Sequence, residues 1–237
     1  FDTYFGIPYS NDMTPRVLMR DSQVLEQQTA LETLTARYTE SATSFIDSAK
    51  DKPFFLYMPH TYPHIPLGAS AKFRGKSPHG IYGDVLAELD WSVGEVLAAL
   101  KRNRADNNTL VLFSSDNGPW FQGSPGNLRG RKGMTWEGGV RVPLIARMPG
   151  RIPKSRVVEG IGSTMDILPT VAKLAGAPLP SKPLDGIDIW PLLSGQAKSL
   201  DRELLLSFDA WNLQCARWKQ WKLHVSRYSN VTYSPAP

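Results

Sequence analysis

The sequence is poor in cysteine. Cys215 is the only one in 237 residues, which excludes an internal disulfide framework and leaves too few thiols for a cysteine-built zinc site. Long apolar runs are missing too. No stretch approaches the ~18 consecutive apolar residues of a membrane span, so no bilayer crossing is expected. Charge of one sign is nowhere concentrated: the 27 basic and 22 acidic residues give a formal net charge of +5 but stand in small groups. That balance suits an anionic ligand without demanding nucleic acid. Internal repeats and low-complexity tracts are absent. The chain opens at Phe1 in mid-pattern, without a charged leader or apolar signal segment, and is read as part of a longer protein. The missing leader therefore excludes nothing.

What is present is 41% hydrophobic, enough to bury a substantial core in one large domain or two smaller ones. From Leu31 to Lys50 the positions Leu31, Leu34, Tyr38, Ala42, Phe45 and Ile46 recur at helical spacing, which predicts an amphipathic helix closed by Asp51, Lys52 and Pro53. Residues 53–59, Pro-Phe-Phe-Leu-Tyr-Met-Pro, form a short apolar run bounded by prolines, the pattern of a strand buried on both faces. A second helical stripe runs from Gly83 to Lys101, with Asp84, Glu88 and Asp90 towards its amino end and Lys101 and Arg102 at its carboxy end, matching the helix dipole. Thr109 to Ser114 reads as a second buried strand. Strand, helix and strand in succession predict a βαβ unit and a parallel sheet. Val140 to Met148 supplies a further strand, and Asp166 to Ala175 a helix that Gly176 can end. Prolines and glycines dominate 178–194, where a domain boundary is placed. Beyond it, 203–208, 214–218 and 221–227 are short β-leaning segments that suggest a small antiparallel sheet.

Asp116 and Asn117 stand where a predicted parallel strand ends, and open α/β sheets bind ligands beyond the carboxyl ends of their strands. A carboxylate beside an amide carbonyl offers two hard oxygen ligands, suited to Ca²⁺ or Mg²⁺. Asp-Asn-Gly is equally a favoured turn tripeptide, and the local sequence leaves both readings open. Arg129, Arg131 and Lys132 form a basic group among glycines. Without interleaved aromatics it makes a weak nucleic-acid contact.

Four phrases, PFFLYMPHTYPHIPLGAS, LVLFSSDNGPW, GRKGMTWEGGVRVPLIARMPG and STMDILPTVAKLAGAPLPSKPLDGIDIWPLLSG, occur in this order and spacing. Together with the opening FDTYFGIPYSNDM, they resemble the second half of the type I sulfatases, close to the arylsulfatase A group. The resemblance weakens only after about Ser199. It implies an α/β fold of the alkaline-phosphatase-like kind: a mixed, mainly parallel sheet flanked by helices over residues 1–180, and a small antiparallel-sheet carboxy-terminal subdomain over 181–237.

The resemblance also implies roles. Asp116 and Asn117 would supply two oxygen ligands to a divalent cation, usually Ca²⁺ with Mg²⁺ a possibility, and further ligands would come from upstream of this chain. Related phosphatases and phosphonate hydrolases tend to carry Asp-His at this strand end, so Asn117 argues for sulfate over phosphate esters. Lys132 matches the family lysine that contacts the sulfate and the bridging ester oxygen. His64, in Pro-His-Ile-Pro, matches the family histidine that hydrogen-bonds sulfate and protonates the departing alcohol; His60 is its nearby competitor. Trp136 to Gly139 read as scaffold for Lys132, His79 and His224 as packing or solvent-facing residues, and Cys215 as a small packing residue. A formylglycine nucleophile is expected upstream, so the chain by itself is expected to be inactive. The implied substrate is a sulfated small molecule or glycan, and the family's compartments are secreted, periplasmic or lysosomal. Two other readings stand beside this one: a phosphodiesterase or phosphonate hydrolase of the same superfamily, and a non-catalytic anion- or glycan-binding relative.

Overall fold

Two helices carry the first part of the chain, and both lie where the apolar periodicity puts them. In the computed structural model, which describes residues 1–49, 52–202, 204–209 and 211–225, a 3₁₀ turn over Leu31–Thr33 leads into α1, Leu34–Ala49. The longer α2 spans Gly80–Arg102. The chain divides into two compact units, Phe1–Thr109 and a second beginning at Leu110.

In the first unit, α1 packs on α2 beside a three-stranded antiparallel meander of β1 (Phe5–Gly6), β2 (Leu18–Arg20) and β3 (Gln23–Glu26). These strands are too short and too polar to show in the hydrophobic pattern. Leu18, Leu34, Tyr62, Ala69, Val85 and Leu89 form the core between them. Each fully buried aliphatic side chain contributes about 1.5–3 kcal/mol through removal from water. At their far ends the helices are clipped by Arg102, whose guanidinium reaches both carboxylate oxygens of Asp47 at 2.9 and 2.8 Å.

Of the acidic residues near the start of α2, Asp90 is exposed but Asp84 and Glu88 face inward. Asp84 is buried and accepts the backbone N–H groups of Gly75, Lys76 and Ser77 at 2.7, 3.0 and 2.7 Å, while buried Glu88 accepts that of Ser70 at 2.9 Å. Their spacing of four places both carboxylates on the helix side that faces the incoming loop, where they satisfy donors otherwise left without partners.

Residues 53–59 depart from expectation. They lie in no ladder among the described residues, and their burial alternates instead of being complete. Phe54 packs edge-on against Phe45 of α1, whereas Phe55 and Tyr57 are 60% and 66% exposed. A continuous apolar run specifies extended backbone, but the second covered face requires a neighbour that local sequence does not supply.

In the second unit, β4 (Val111–Ser114) pairs antiparallel with β5 (Leu144–Arg147), preceded by the single turn α3 (Glu137–Val140). Thus every pairing among the described residues is antiparallel, and the parallel pairing expected of the βαβ unit is not formed among them. Helix α4 (Ile167–Ala175) ends at Gly176, whose φ of 67° is the left-handed cap conformation that glycine adopts without steric cost. Its entrance is fixed by Asp166, fully buried, which accepts the backbone N–H groups of Ser163 and Ile187 and pairs with Arg202. The stretch 178–194 is irregular apart from the short α5, Trp190–Leu193. The antiparallel sheet expected next is present as the meander β6 (Leu205–Asp209), β7 (Asn212–Trp218) and β8 (Trp221–His224). The last three residues of the expected 221–227 segment fall partly outside the described residues.

Candidate active site

The strand-end tripeptide is bent by its own neighbours. Ser114 Oγ donates to the Pro143 carbonyl at 2.9 Å, and Ser115 Oγ donates to the Asn117 carbonyl at 2.9 Å. That serine turn curls the chain directly after β4. It leaves the Asp116 residue exposed and Asn117 half-buried.

The basic, glycine-rich stretch folds back onto this turn. Gly118 N–H donates to the Gly139 carbonyl at 2.8 Å and Lys132 N–H to the Pro119 carbonyl at 3.1 Å, while Gly138 N–H closes onto the Arg129 carbonyl at 2.7 Å. Such close approach depends on glycine. A Cβ on Gly118 would collide with the Gly138 carbonyl oxygen, and a Cβ on Gly138 with the Gly130 carbonyl oxygen. The two motifs, distant by fifteen residues of sequence, are thereby laced together by backbone hydrogen bonds.

The three cations of this stretch have different fates. Arg131 is committed to backbone carbonyls, donating to Trp120 O at 2.9 Å and Gly123 O at 2.7 Å. Arg129 lies 3.9 Å over the Trp136 ring, a cation–π contact. The side-chain ammonium of Lys132, a half-buried residue, makes no hydrogen bond or ion pair among the described residues. Two cations build the loop, and the side chain of the third is uncommitted among the described residues.

A support that the sequence did not disclose comes from the carboxy-terminal meander. Arg217 and Lys222 are cross-strand partners on β7 and β8, an arrangement of like charges that is unfavourable by itself. Glu137 lies between them, 3.0 Å from the Arg217 guanidinium and 2.9 Å from the Lys222 ammonium. Burial pushes the Glu137 carboxyl up, but the Lys222 hydrogen bond and the charges of Lys222, Arg217 and Arg141 outweigh it and hold the group below its ordinary value. His224 stacks on Trp136 with ring centroids 3.9 Å apart. Buried Cys215 points its Sγ at the Thr135 carbonyl. The Thr135–Gly139 phrase is thus gripped from behind. An Arg and a Lys five residues apart across a two-residue turn, with a lone upstream Glu, were the available signal, and it is too weak to read without coordinates.

His64 lies in the first unit and is held there by Asn11. Its Nδ1 is 3.0 Å from Asn11 Oδ1 and 2.6 Å from the Ile65 carbonyl, while Asn11 Nδ2 donates to the carbonyls of His64 and Pro66 at 3.2 and 3.0 Å. His60 has a different environment. Its Nε2 is 3.5 Å from Ser92 Oγ, which in turn is 2.6 Å from Thr39 Oγ1, and burial pushes its pKa down to about 4. Among the described residues no group of three or more His, Cys, Asp or Glu side chains gathers as a metal site.

The comparisons with known proteins agree with this architecture. The nearly whole-chain match to a solved Bacteroides thetaiotaomicron sulfatase from a locus for glycosaminoglycan metabolism, with a TM-score of 0.86 at 26% identity over 94% of this chain and 60% of that one, establishes the alkaline-phosphatase-like α/β class. Residues 1–177 match the family profile described as Sulfatase. Human steryl-sulfatase is 41% identical over 212 residues, 85% of this chain and 36% of that protein. Human arylsulfatase A is 35% identical over 275 aligned residues, covering 100% of this chain and 54% of that protein. The chain belongs to the sulfatase family, and it spans about a third to a half of the length of these two relatives.

Proposed function

We propose that the protein containing this chain hydrolyses sulfate monoesters to an alcohol and inorganic sulfate, and that Asp116, Asn117, Lys132 and His64 act in that reaction. The observation that carries the reading is the lacing of the Lys132 loop onto the Asp116-Asn117 turn with Lys132 left as its uncommitted cation. A compact ammonium among glycines can approach a tetrahedral anion and neutralise charge that develops on the ester oxygen. The paired Asp116 carboxylate and Asn117 amide form a hard-oxygen donor set, chemically fit for Ca²⁺, or for Mg²⁺, and two donors leave most of a six- to eight-fold Ca²⁺ shell to other residues. When bound, that cation withdraws charge from the sulfuryl oxygens, and a formylglycine carried elsewhere in the protein supplies covalent catalysis. His64, as imidazolium, passes a proton to the departing alkoxide and is left neutral. The expected substrate is a sulfated small molecule or glycan.

The test uses the complete protein. Asp116→Ala is expected to lose tightly bound Ca²⁺ together with turnover, and Lys132→Ala to lower kcat/KM on a sulfate ester by on the order of 10²-fold. Unchanged metal content and turnover in Asp116→Ala, or a preference for phosphate over sulfate esters, overturns the reading.

A further inference from the structure

We propose that Asn11 is a positioning residue that fixes the tautomer and direction of His64, so that Nε2 is the ring atom presented to substrate. The proposal deepens the reading of His64 as a group that acts on sulfate and rests on it for its catalytic consequence, though not for its geometry.

The amide of Asn11 can be oriented in only one way. One end of it meets two carbonyl oxygens, those of His64 and Pro66, at 3.2 and 3.0 Å. Two acceptors can be served only by the NH₂ group, so Oδ1 is forced onto the opposite side, where it faces His64 Nδ1 at 3.0 Å. The second neighbour of Nδ1 is the Ile65 carbonyl at 2.6 Å, again an acceptor with no proton to give. With acceptors on both sides, Nδ1 must carry the proton, whatever the state of the other nitrogen. In the neutral ring Nε2 then holds the lone pair; in the imidazolium Nε2–H is the proton that leaves. Transfer of that proton to the alkoxide oxygen breaks the Nε2–H bond, forms the alcohol O–H bond and returns the neutral Nδ1–H ring.

Asn11 is suited to this task because it is rigid. Its side chain is 1% exposed, and the same amide that faces the ring also ties the carbonyls on either side of Ile65. The loop between Tyr62 and Pro66 has no helix or strand of its own to hold it. A single buried amide spanning His64 and Pro66 therefore sets both the backbone that carries the ring and the ring itself. Asn11 lies within the opening FDTYFGIPYSNDM phrase, which gives that phrase a role of its own.

The test reads the ring directly and turnover separately. Histidines are labelled with ¹⁵N, and His64 is assigned among the four histidines by comparison with His64→Gln. Long-range ¹H–¹⁵N spectra of the wild-type protein above the imidazole titration are expected to show the Nδ1–H tautomer. Asn11→Leu is expected to mix the two tautomers and to lower kcat by about 10- to 100-fold, as loss of a ring-orienting partner does, with KM little changed. Asn11→Asp, which keeps an acceptor towards Nδ1, is expected to retain the tautomer and recover part of kcat. A wild-type ring protonated at Nε2 overturns the proposal even if every variant misfolds. So does a folded Asn11→Leu with wild-type ring state and kcat. If His64→Gln itself keeps full turnover, the functional reading of His64 fails while the spectra still decide what Asn11 does.

Discussion

At the scale of single residues, the two histidines of the His60-Thr-Tyr-Pro-His64 loop separate by environment. His60 is the inward one. Its one hydrogen-bonded neighbour among the described residues is the Ser92 hydroxyl, and burial lowers its pKa from 6.5 to about 4. A base whose pKa is lower folded than unfolded gives its full contribution above pH 6.5 and loses it progressively as the pH falls towards 4, because the unfolded chain takes up the proton first. Urea midpoints measured between pH 7.5 and pH 5 should therefore fall, and His60→Gln should flatten that dependence. An equally steep decline in the variant would place the titration elsewhere. The outcome bears on function too, since a ring that stays neutral over this range is a poor proton donor, and His64 is left as the candidate.

At the scale of elements, the informative joint is the one between the Thr135–Gly139 phrase and the β7–β8 hairpin. The like-charged pair Arg217 and Lys222 is tolerable only with Glu137 between them. Glu137→Gln removes the charge that reconciles the pair. It should destabilise the protein by about 1 kcal/mol, the scale of partly exposed ion pairs, as read by chemical denaturation. Because the carboxyl is held below its ordinary 4.5, the contribution is complete well above that pH and is lost as the pH falls through the lowered value; the Gln variant should show no such loss. A second element test concerns α1. Leu34 is fully buried at its first turn, and Leu34→Ala should cost 2–5 kcal/mol in the same measurement. An exposed Leu would cost almost nothing, so this value checks whether the 3₁₀-to-helix start is seated as described.

At the scale of the whole molecule, the 237-residue chain assayed alone with Ca²⁺ is expected not to turn over an aryl sulfate. It offers two oxygen ligands of the expected cation site, and its one thiol cannot stand in for a nucleophile: Cys215 is fully buried, with its Sγ against the Thr135 carbonyl. Cys215→Ala should be inactive in the same way and differ only in stability. Robust turnover by the isolated chain, lost on replacing Cys215, would falsify this. Phe55 and Tyr57 on the open side of 53–59 should also make the isolated chain prone to association, visible as concentration-dependent light scattering.

The sequence by itself determined the helices, the irregular connection and the carboxy-terminal meander, because each is written in local periodicity and turn chemistry: α1 and α2 in a 3.6-residue apolar stripe, the end of α4 in Gly176, the hairpins in short polar turns. It also carried the family, through linked phrases whose order no single element could mimic. The pairing of the strands before that meander was decided only by the tertiary structure. Hydrophobicity tells a segment to be extended and covered but not by what, so 53–59 and 111–114 were legible as extended and not as one-sided or antiparallel. The same holds for the neighbours of the candidate site residues. Asn11 and His64 are 53 residues apart, and Glu137 and Lys222 are 85 apart. Contacts at that separation depend on chain paths set by the whole core, and no local preference of Asn, Glu or Lys announces them.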